Sequence, residues 1–255
     1  MSAPLHRTAP VDRRESVTGT NAVIKSLAAE RELAEGYALV AYHQTQGRGR
    51  LGRSFASPKG GVYLSMLLYP GENLSRAATL TPCAAVAVCR ALERVCGVTP
   101  GIKWPNDLLL DGRKLCGILT ESFPARARQA VVLGIGINVN TPASAFDDEV
   151  KSIAVSLAEY TGAPLDRAAV ADAVIAELDQ MYAAWQIDTR AALDDYRRLC
   201  VSTDRPVNLI LNGQSRPAYA LGIDENYALQ AQINGQIENI TMGEVSLRDR
   251  FPFEA

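Results

Sequence analysis

Three short runs concentrate residue types suited to binding anions. In "QTQGRGRLGR" (44–53), Arg48, Arg50 and Arg53 are interleaved with Gly47, Gly49 and Gly52. Guanidinium groups present planar, permanently charged forks that match phosphate or carboxylate. Glycine lets the backbone come close to a ligand. This is not a Walker A loop, because no Gly-Lys-Ser/Thr follows. Its letters have GxGxxG spacing, but the dinucleotide fingerprint needs a helix opening there and an acidic residue about 20 positions later. Here the chain continues through Ser57-Pro58-Lys59-Gly60-Gly61 into strand-like sequence. An anion cradle and a solvated basic loop are the two readings of the run alone.

The second run, "KWPNDLLLDGRKLCGILTE" (103–121), decides between them. Trp104-Pro105 makes a rigid turn that displays Asn106 and Asp107. Lys114 then opens a strand in which Gly117 lets a ligand lie against the backbone. Singly, Lys114 reads as a surface lysine and Asp107 as a turn-former. In the third run, "GIGINVN" (134–140), Gly134 and Gly136 alternate with Ile135 and Ile137. Side chains alternate faces along a strand, so one face is bare and the other packed. A cation, an acid, an amide (Asn138) and a bare strand face are parts from which an anion-binding site can be built.

The elements that position these runs follow from pattern and punctuation. A helix is expected from Thr20 or Asn21, either of which can cap it, to a stop at Gly36. Strands are expected at 37–43 and 61–70. A helix follows with Thr81 as cap, Pro82 at its first position and Gly97 as terminator. Short strands around "GIKW", "DLLL", "KLCGILTES" and "AVVLGIGINVN" are separated by turns such as Asp111-Gly112. After a loop at 141–149, helices are expected in "SIAVSLAEYTG", in "DRAAVADAVIAELDQMYAAW" and over 190–200. From Arg205 the runs shorten, and Asn212-Gly213 and Asn234-Gly235 are hairpin dipeptides. The last fifty or so residues therefore read as a small β-barrel.

The totals exclude several classes. With 26 Lys+Arg against 28 Asp+Glu the net charge is −2, not the positive field of a general nucleic-acid binder. Only His6 and His43 are present, which disfavours a histidine-based zinc site. Five cysteines without a CxxC pair suit reduced, buried thiols and a cytoplasmic location. The start "MSAPLHRTAPVDRRES" has no apolar signal core, and no stretch approaches the ~18 apolar residues of a membrane span.

Together the runs 44–53, 103–121 and 134–140, with "GEVSLR" (243–248), resemble the biotin protein ligase family over about residues 16–250. The resemblance implies an α+β fold: a mixed sheet flanked by helices, the class II synthetase-like biotin/lipoate ligase catalytic domain, with a small C-terminal SH3-like β-barrel. The division it implies is a flexible N-terminus at 1–15, a catalytic domain at 16–202 and a small barrel at 203–255. It further implies a monofunctional enzyme without the family's DNA-binding helix-turn-helix. Such an enzyme joins biotin to ATP as biotinyl-5′-AMP and passes the biotinyl group to one carrier lysine.

By this resemblance the catalytic residues are Lys114, Asp107, Arg48 and Arg50. Biotin would contact Gly19, Thr20, Asn21, Gln44, Arg48, Gly49, Arg50, Lys114 and Gly117. ATP would contact Arg50, Arg53, Phe55, Asn106, Lys114 and Asn138. The family usually has Ser where Gly19 stands and often Trp where Phe55 stands. Mg²⁺ is expected with the nucleotide, and no protein metal ligand is assigned. The implied partner is the biotin carboxyl carrier of acetyl-CoA carboxylase or a similar enzyme, with no DNA or membrane partner, and the enzyme is a monomer or homodimer. The alternatives are a lipoate or octanoyl ligase or transferase of the same fold, and a non-catalytic biotin-sensing regulator.

Overall fold

The computed structural model describes residues 8–211 and 213–247. His6, Asn212 and Arg248 lie outside the described residues. The chain opens with β1 (Val11–Arg14), α1 (Thr20–Glu30), β2 (Ala38–Ala41), β3 (Val62–Leu68) and α2 (Leu80–Cys96). Then come β4 (Gly101–Lys103), β5 (Asp107–Leu110), β6 (Arg113–Ala125) and β7 (Arg128–Ile137). Helices α3 (Asp148–Lys151), α4 (Leu157–Thr161), α5 (Arg167–Ile187) and α6 (Leu193–Leu199) follow. The last part is all strand: β8 (Arg205–Leu211), β9 (Gln214–Ile223), β10 (Leu229–Ile233), β11 (Gln236–Ile240) and β12 (Glu244–Ser246).

Two sheets result, ordered β1-β2-β3-β7-β6-β5-β4 and β11-β10-β9-β8-β12. In the first, β1 pairs β2 in parallel and the other pairs are antiparallel, so the sheet is mixed. The second is antiparallel throughout, consistent with a small SH3-like domain. The fold is α+β. At Asn234-Gly235 both residues have positive φ, 49° and 81°, the conformation that a two-residue hairpin loop requires. Asp111-Gly112 turns between β5 and β6 in the same way, with φ of 48° and 73°.

The alternation of strand side chains divides the first sheet's two faces. Val40, Leu64, Met66, Leu133, Ile135 and Ile137 join one large core with α2 and α5. Leu39, Leu67, Ala130 and Val132 point the other way and pack with Ile24 and Ala28 of α1. Helix α1 covers only part of that second face. The remainder carries Gly134, Gly136 and Gly117 and is the floor of a cavity, with Ser65 buried on the same face beneath Thr20 and Asn21.

Five local expectations change. Residues 11–14, within the segment expected to be flexible, form β1 against β2. Helix α1 ends at Glu30, where Arg31 turns extended (φ −143°), and Gly36 (φ 78°) instead serves the turn into β2. Its N-cap is Gly19, and Thr20 and Asn21 direct their side chains to other partners. Helix α2 starts at Leu80 after a 3₁₀ run over 71–79, so Pro82 lies within the first turn, while Gly97 caps it in the left-handed region as expected. Finally, "SIAVSLAEYTG" is helical only from Leu157, because residues 153–155 run beside Lys114 and bond its backbone.

Candidate active site

The cavity floor is a row of directly opposed residues. Tyr63, Gly136, Gly117 and Asp107 align across β3, β7, β6 and β5, and Ser65, Gly134 and Leu119 align in the next row. Opposed residues share a face, so Asp107 stands at one end of a strip floored by glycine. About 250 Å³ of space lies above it. A Cβ on Gly136 would overlap the Phe55 ring, and one on Gly117 would come within 2.9 Å of Phe55 Cε2. The glycines are therefore needed for close approach, and Phe55 lies against them.

The Arg/Gly run forms the roof. Phe55 N donates to Gly47 O (2.9 Å) and Gly49 N to Arg53 O (2.8 Å), which closes it as a small hairpin. Arg50 Nη1 donates to Asn106 Oδ1 and to Gly243 O, both at 3.1 Å. Arg53 pairs with Glu244 at 2.8 Å. Both partners near residue 244 belong to the second sheet's end of the chain, so the small domain anchors the loop. Burial pushes the Arg50 guanidinium below its ordinary pKa, an effect opposed by the charges of Glu244 and Asp107.

One end of the cavity is walled by mutually bonded polar groups, uncharged except for one ion pair. Thr20 N and Oγ1 both donate to Gln44 Oε1, at 2.8 and 3.1 Å. Gln44 Nε2 donates to Ser57 Oγ (2.8 Å), which donates to Phe55 O. Ser65 Oγ, fully buried, sits 2.7 Å from Thr20 Oγ1 and 2.6 Å from Asn21 Oδ1. Asn21 Nδ2 donates to Glu121 Oε2 (2.7 Å), and Lys25 Nζ pairs with Glu121 Oε1 (2.6 Å). Burial alone would raise the Glu121 pKa. Hydrogen bonds from Lys25 and Asn21, with the charges of Lys25 and Arg48, outweigh it and hold the carboxyl below its ordinary value.

The other end is ionic. Lys114 Nζ lies 2.7 Å from Asp107 Oδ1, an ion pair in which that buried oxygen accepts no aligned hydrogen bond. The same ammonium stands 5.6 Å from the centre of the Phe55 ring. Asp107 is held by the turn before it: Trp104 is buried, and its Nε1 donates to Tyr227 O (3.0 Å). Asn106 exchanges bonds with Ile118 through both its backbone and its amide.

This arrangement, with a polar hydrogen-bonding pocket joined to an ionic one over bare backbone, has close relatives. The biotin/lipoate A/B protein ligase family model matches residues 13–138. The bifunctional ligase/repressor BirA of Bacillus subtilis is 36% identical over 228 residues, covering 86% of this chain and 68% of that protein. The biotin--[acetyl-CoA-carboxylase] ligase of Mycobacterium tuberculosis is 32% identical over 232 residues, 89% of this chain and 84% of that protein. The biotin protein ligase of Aquifex aeolicus, solved in complex with biotin and ATP, superposes with a TM-score of 0.81 at 30% identity. That match covers 92% of this chain and 97% of that one. The chain belongs to the biotin protein ligase family.

Of the site residues that membership of the biotin protein ligase family led us to expect, all but Asn138 line this one cavity. Asn138 lies behind it. Its side chain is buried, and Nδ2 donates to Val155 O (3.2 Å) and Lys114 O (3.4 Å), so the amide faces backbone rather than the cavity. Gly19 lines the wall where the biotin protein ligases usually carry Ser. A Cβ there would meet Gln46 O at 3.3 Å, a fit that needs a small shift.

Sequence reasoning passed over Lys25, Ser65, Glu121 and Glu244. Three of them had a local signal. Lys25 is four residues past Asn21 and so on the same helix face. Glu121 repeats the face of Gly117 at period two. Ser65 is the one polar side chain in the otherwise apolar β3. Glu244 had none, because its partner Arg53 is remote in sequence.

Elsewhere the described residues offer no rival chemistry. Burial pushes the Cys83 thiol up to about 11 and Cys89 to about 12, and raises Cys116 and Cys200. Thiols so placed stay protonated and are poor nucleophiles. No helix among the described residues is long and apolar enough to cross a membrane.

Proposed function

We infer that this chain is a biotin protein ligase that activates biotin with ATP to biotinyl-5′-AMP and transfers the biotinyl group to a lysine of a biotin carboxyl carrier domain. The observation that carries this reading is the convergence of Lys114 and Asp107 from one run and Arg50 from another, beside a polar hydrogen-bonding pocket.

In the first step a carboxylate oxygen of biotin attacks the α-phosphorus of ATP, the bond to the β-phosphate breaks, and pyrophosphate leaves. Two anions must meet, so cations aimed at the developing charge lower the barrier. Lys114 and Arg50 are placed for that, with Arg48 and Arg53 at the rim. Thr20, Asn21 and Gln44 suit biotin's uncharged ring system, which offers both donors and acceptors. Gly117 and Gly136 let the ligand lie on the sheet, with Phe55 as its apolar wall.

In the second step the carrier lysine's amine attacks the acyl carbon, AMP leaves, and one proton is released. That amine has an ordinary pKa of about 10.4, so it arrives protonated. Asp107 is the carboxylate positioned to orient it and to accept or relay the proton. Asp107 is released for this by Lys114, which follows the phosphate.

Magnesium enters as the counter-ion of the nucleotide. Among the described residues no group of three or more His, Cys, Asp or Glu side chains could hold a metal ion. The proposed ion is bound chiefly through phosphate oxygens and water, as Mg²⁺ commonly is. The carrier of acetyl-CoA carboxylase is the proposed acceptor, and the five free cysteines favour a cytoplasmic location.

The test is biotin-dependent exchange of labelled pyrophosphate into ATP, followed by transfer to a carrier domain. Exchange driven by lipoate or octanoate in place of biotin would move the chain to the other branch of its family. Exchange without transfer would make it a regulator.

A further inference from the structure

We propose that Asn138 is a positioning residue for Lys114, holding in place the β-bulge that turns this lysine toward the cavity. The inference rests on the role given to Lys114 above.

Lys114 and Gly117 are separated by an odd number of positions. In a regular strand they would point to opposite faces of the sheet. Yet a Cβ on Gly117 would lie 3.2 Å from Lys114 Cε and 3.3 Å from Nζ, so both occupy the cavity face. The register of β5 against β6 explains this: Leu108 opposes Cys116, Leu109 opposes Lys114, and Leu115 has no opposite number. The extra residue is a bulge, which re-aims the neighbouring side chain. Leu115 and Cys116 then both face the core, and Lys114 faces the substrate.

Asn138 holds the bulged segment from its other edge, where it continues the β6–β7 register of Cys116 opposite Ile137. Its N–H donates to the carbonyl of the bulged Leu115 (3.0 Å). Its side-chain Nδ2 donates to Lys114 O (3.4 Å) and to Val155 O (3.2 Å). The second bond fastens residues 153–155, which complete the pairing of Lys114: Lys114 N donates to Ile153 O (2.7 Å) and Val155 N to Lys114 O (3.0 Å). Leu157 N donates in turn to Asn138 O (2.9 Å). Asn138 thus joins the bulge to the strap beside it.

The residue type carries a cost that an apolar core residue would avoid. Asn138 is 4% exposed and its Oδ1 has no hydrogen-bond partner, which is unfavourable in a buried amide. The donor side of the amide is what the bulge uses.

The test compares Asn138→Ala and Asn138→Ser with the unaltered enzyme and with Lys114→Ala, in pyrophosphate exchange over a range of biotin and ATP concentrations. Folding is checked by circular dichroism and thermal unfolding. A misplaced reactive group costs up to about a hundredfold, so kcat should fall by roughly ten- to a hundredfold while KM for both substrates stays within about twofold. Asn138→Ser, which retains a hydroxyl donor, should fall less. A raised KM for ATP with unchanged kcat would make Asn138 a nucleotide contact and overturn the proposal. Unchanged kinetics would overturn it too, as would loss of the fold in both variants, which would leave Asn138 a stability residue. If Lys114→Ala itself retains exchange, the role of Lys114 fails first. If Lys114→Ala is inactive and the Asn138 variants are normal, only the present inference fails.

Discussion

Lys114 Nζ and Asp107 Oδ1 are 2.7 Å apart across the β5–β6 hairpin, so the cation proposed for the first step and the carboxylate proposed for the second neutralise each other. Each step would separate them for a different reason. A carboxylate and a phosphate draw the lysine away, and the aspartate is then exposed to an incoming amine. The pair therefore predicts two variants with different defects.

Lys114→Ala should reduce biotin-dependent pyrophosphate exchange about 10²–10³-fold, the usual loss when one preorganised donor is removed from developing charge. Lys114 is partly exposed, so the variant should remain folded. Near-normal exchange would remove Lys114 from the chemistry.

Asp107→Asn should spare exchange and slow transfer to the carrier, by roughly 10²–10⁴-fold if proton removal depends on it. Single-turnover transfer from preformed biotinyl-5′-AMP separates the two steps. An equal loss in both would argue that Asp107 serves only to place Lys114.

Arg50→Gly should still make adenylate but hold it poorly. Arg50 bridges Asn106 and Gly243 O over the cavity, and a hydrogen bond to a charged group is worth about 1.5–3 kcal/mol. That corresponds to roughly ten- to a hundredfold faster escape if the loss falls on release. Escaped mixed anhydride would acylate lysines of an unrelated protein added to the mixture, visible on a blot for biotin. Adenylate formation without extra bystander labelling would show that Arg50 is not the clamp.

Gly134→Ala should weaken biotin binding more than ATP binding, because the new Cβ would overlap the Asn21 amide. Forcing a methyl into a packed site also costs about 1–3 kcal/mol of stability. Calorimetric titration with each substrate checks this, and unaltered biotin affinity would place the ring elsewhere.

Glu121→Gln gives a pH-dependent signature. The folded-state pKa of Glu121 is held below the ordinary value of 4.5 by Lys25 and Asn21 against the opposing effect of burial. A depressed carboxyl pKa contributes stability above the unfolded value, which is lost as pH falls through the folded one. Wild type should therefore melt higher than the variant near neutral pH, and the gap should close below about pH 4.5. A gap of constant size down to pH 3 would mean that the ion pair does not contribute.

Much of the site was legible because it is local. Gly134 and Gly136 alternate with isoleucines, and a period of two makes one bare face wherever the strand lies. Asp111-Gly112 turns the chain back within two residues, which brings Asp107 and Lys114 together. Spacing of arginine and glycine offers an anion loop before any partner is known, with a solvated basic loop as the other reading of the run alone.

What the sequence could not decide is which segments lie beside one another. That Gly243 and Glu244 anchor the Arg/Gly loop depends on how the small second sheet docks. That Asn21 meets Ser65 and Glu121 depends on α1 crossing β3 and β6. The largest departure was over 152–156, where apolar spacing predicts a helix, yet 152–153 form a turn and the chain then runs beside Lys114, whose backbone groups bond Ile153 and Val155. The same non-local pairing moves Asn138 behind the cavity and Lys114 into it. Periodicity assigns a side chain to a face only while register is unbroken, and the single unpaired Leu115 reverses the assignment for Lys114. Residue types and turns along the chain determined the chemistry available, and long-range backbone pairing decided which groups face the cavity.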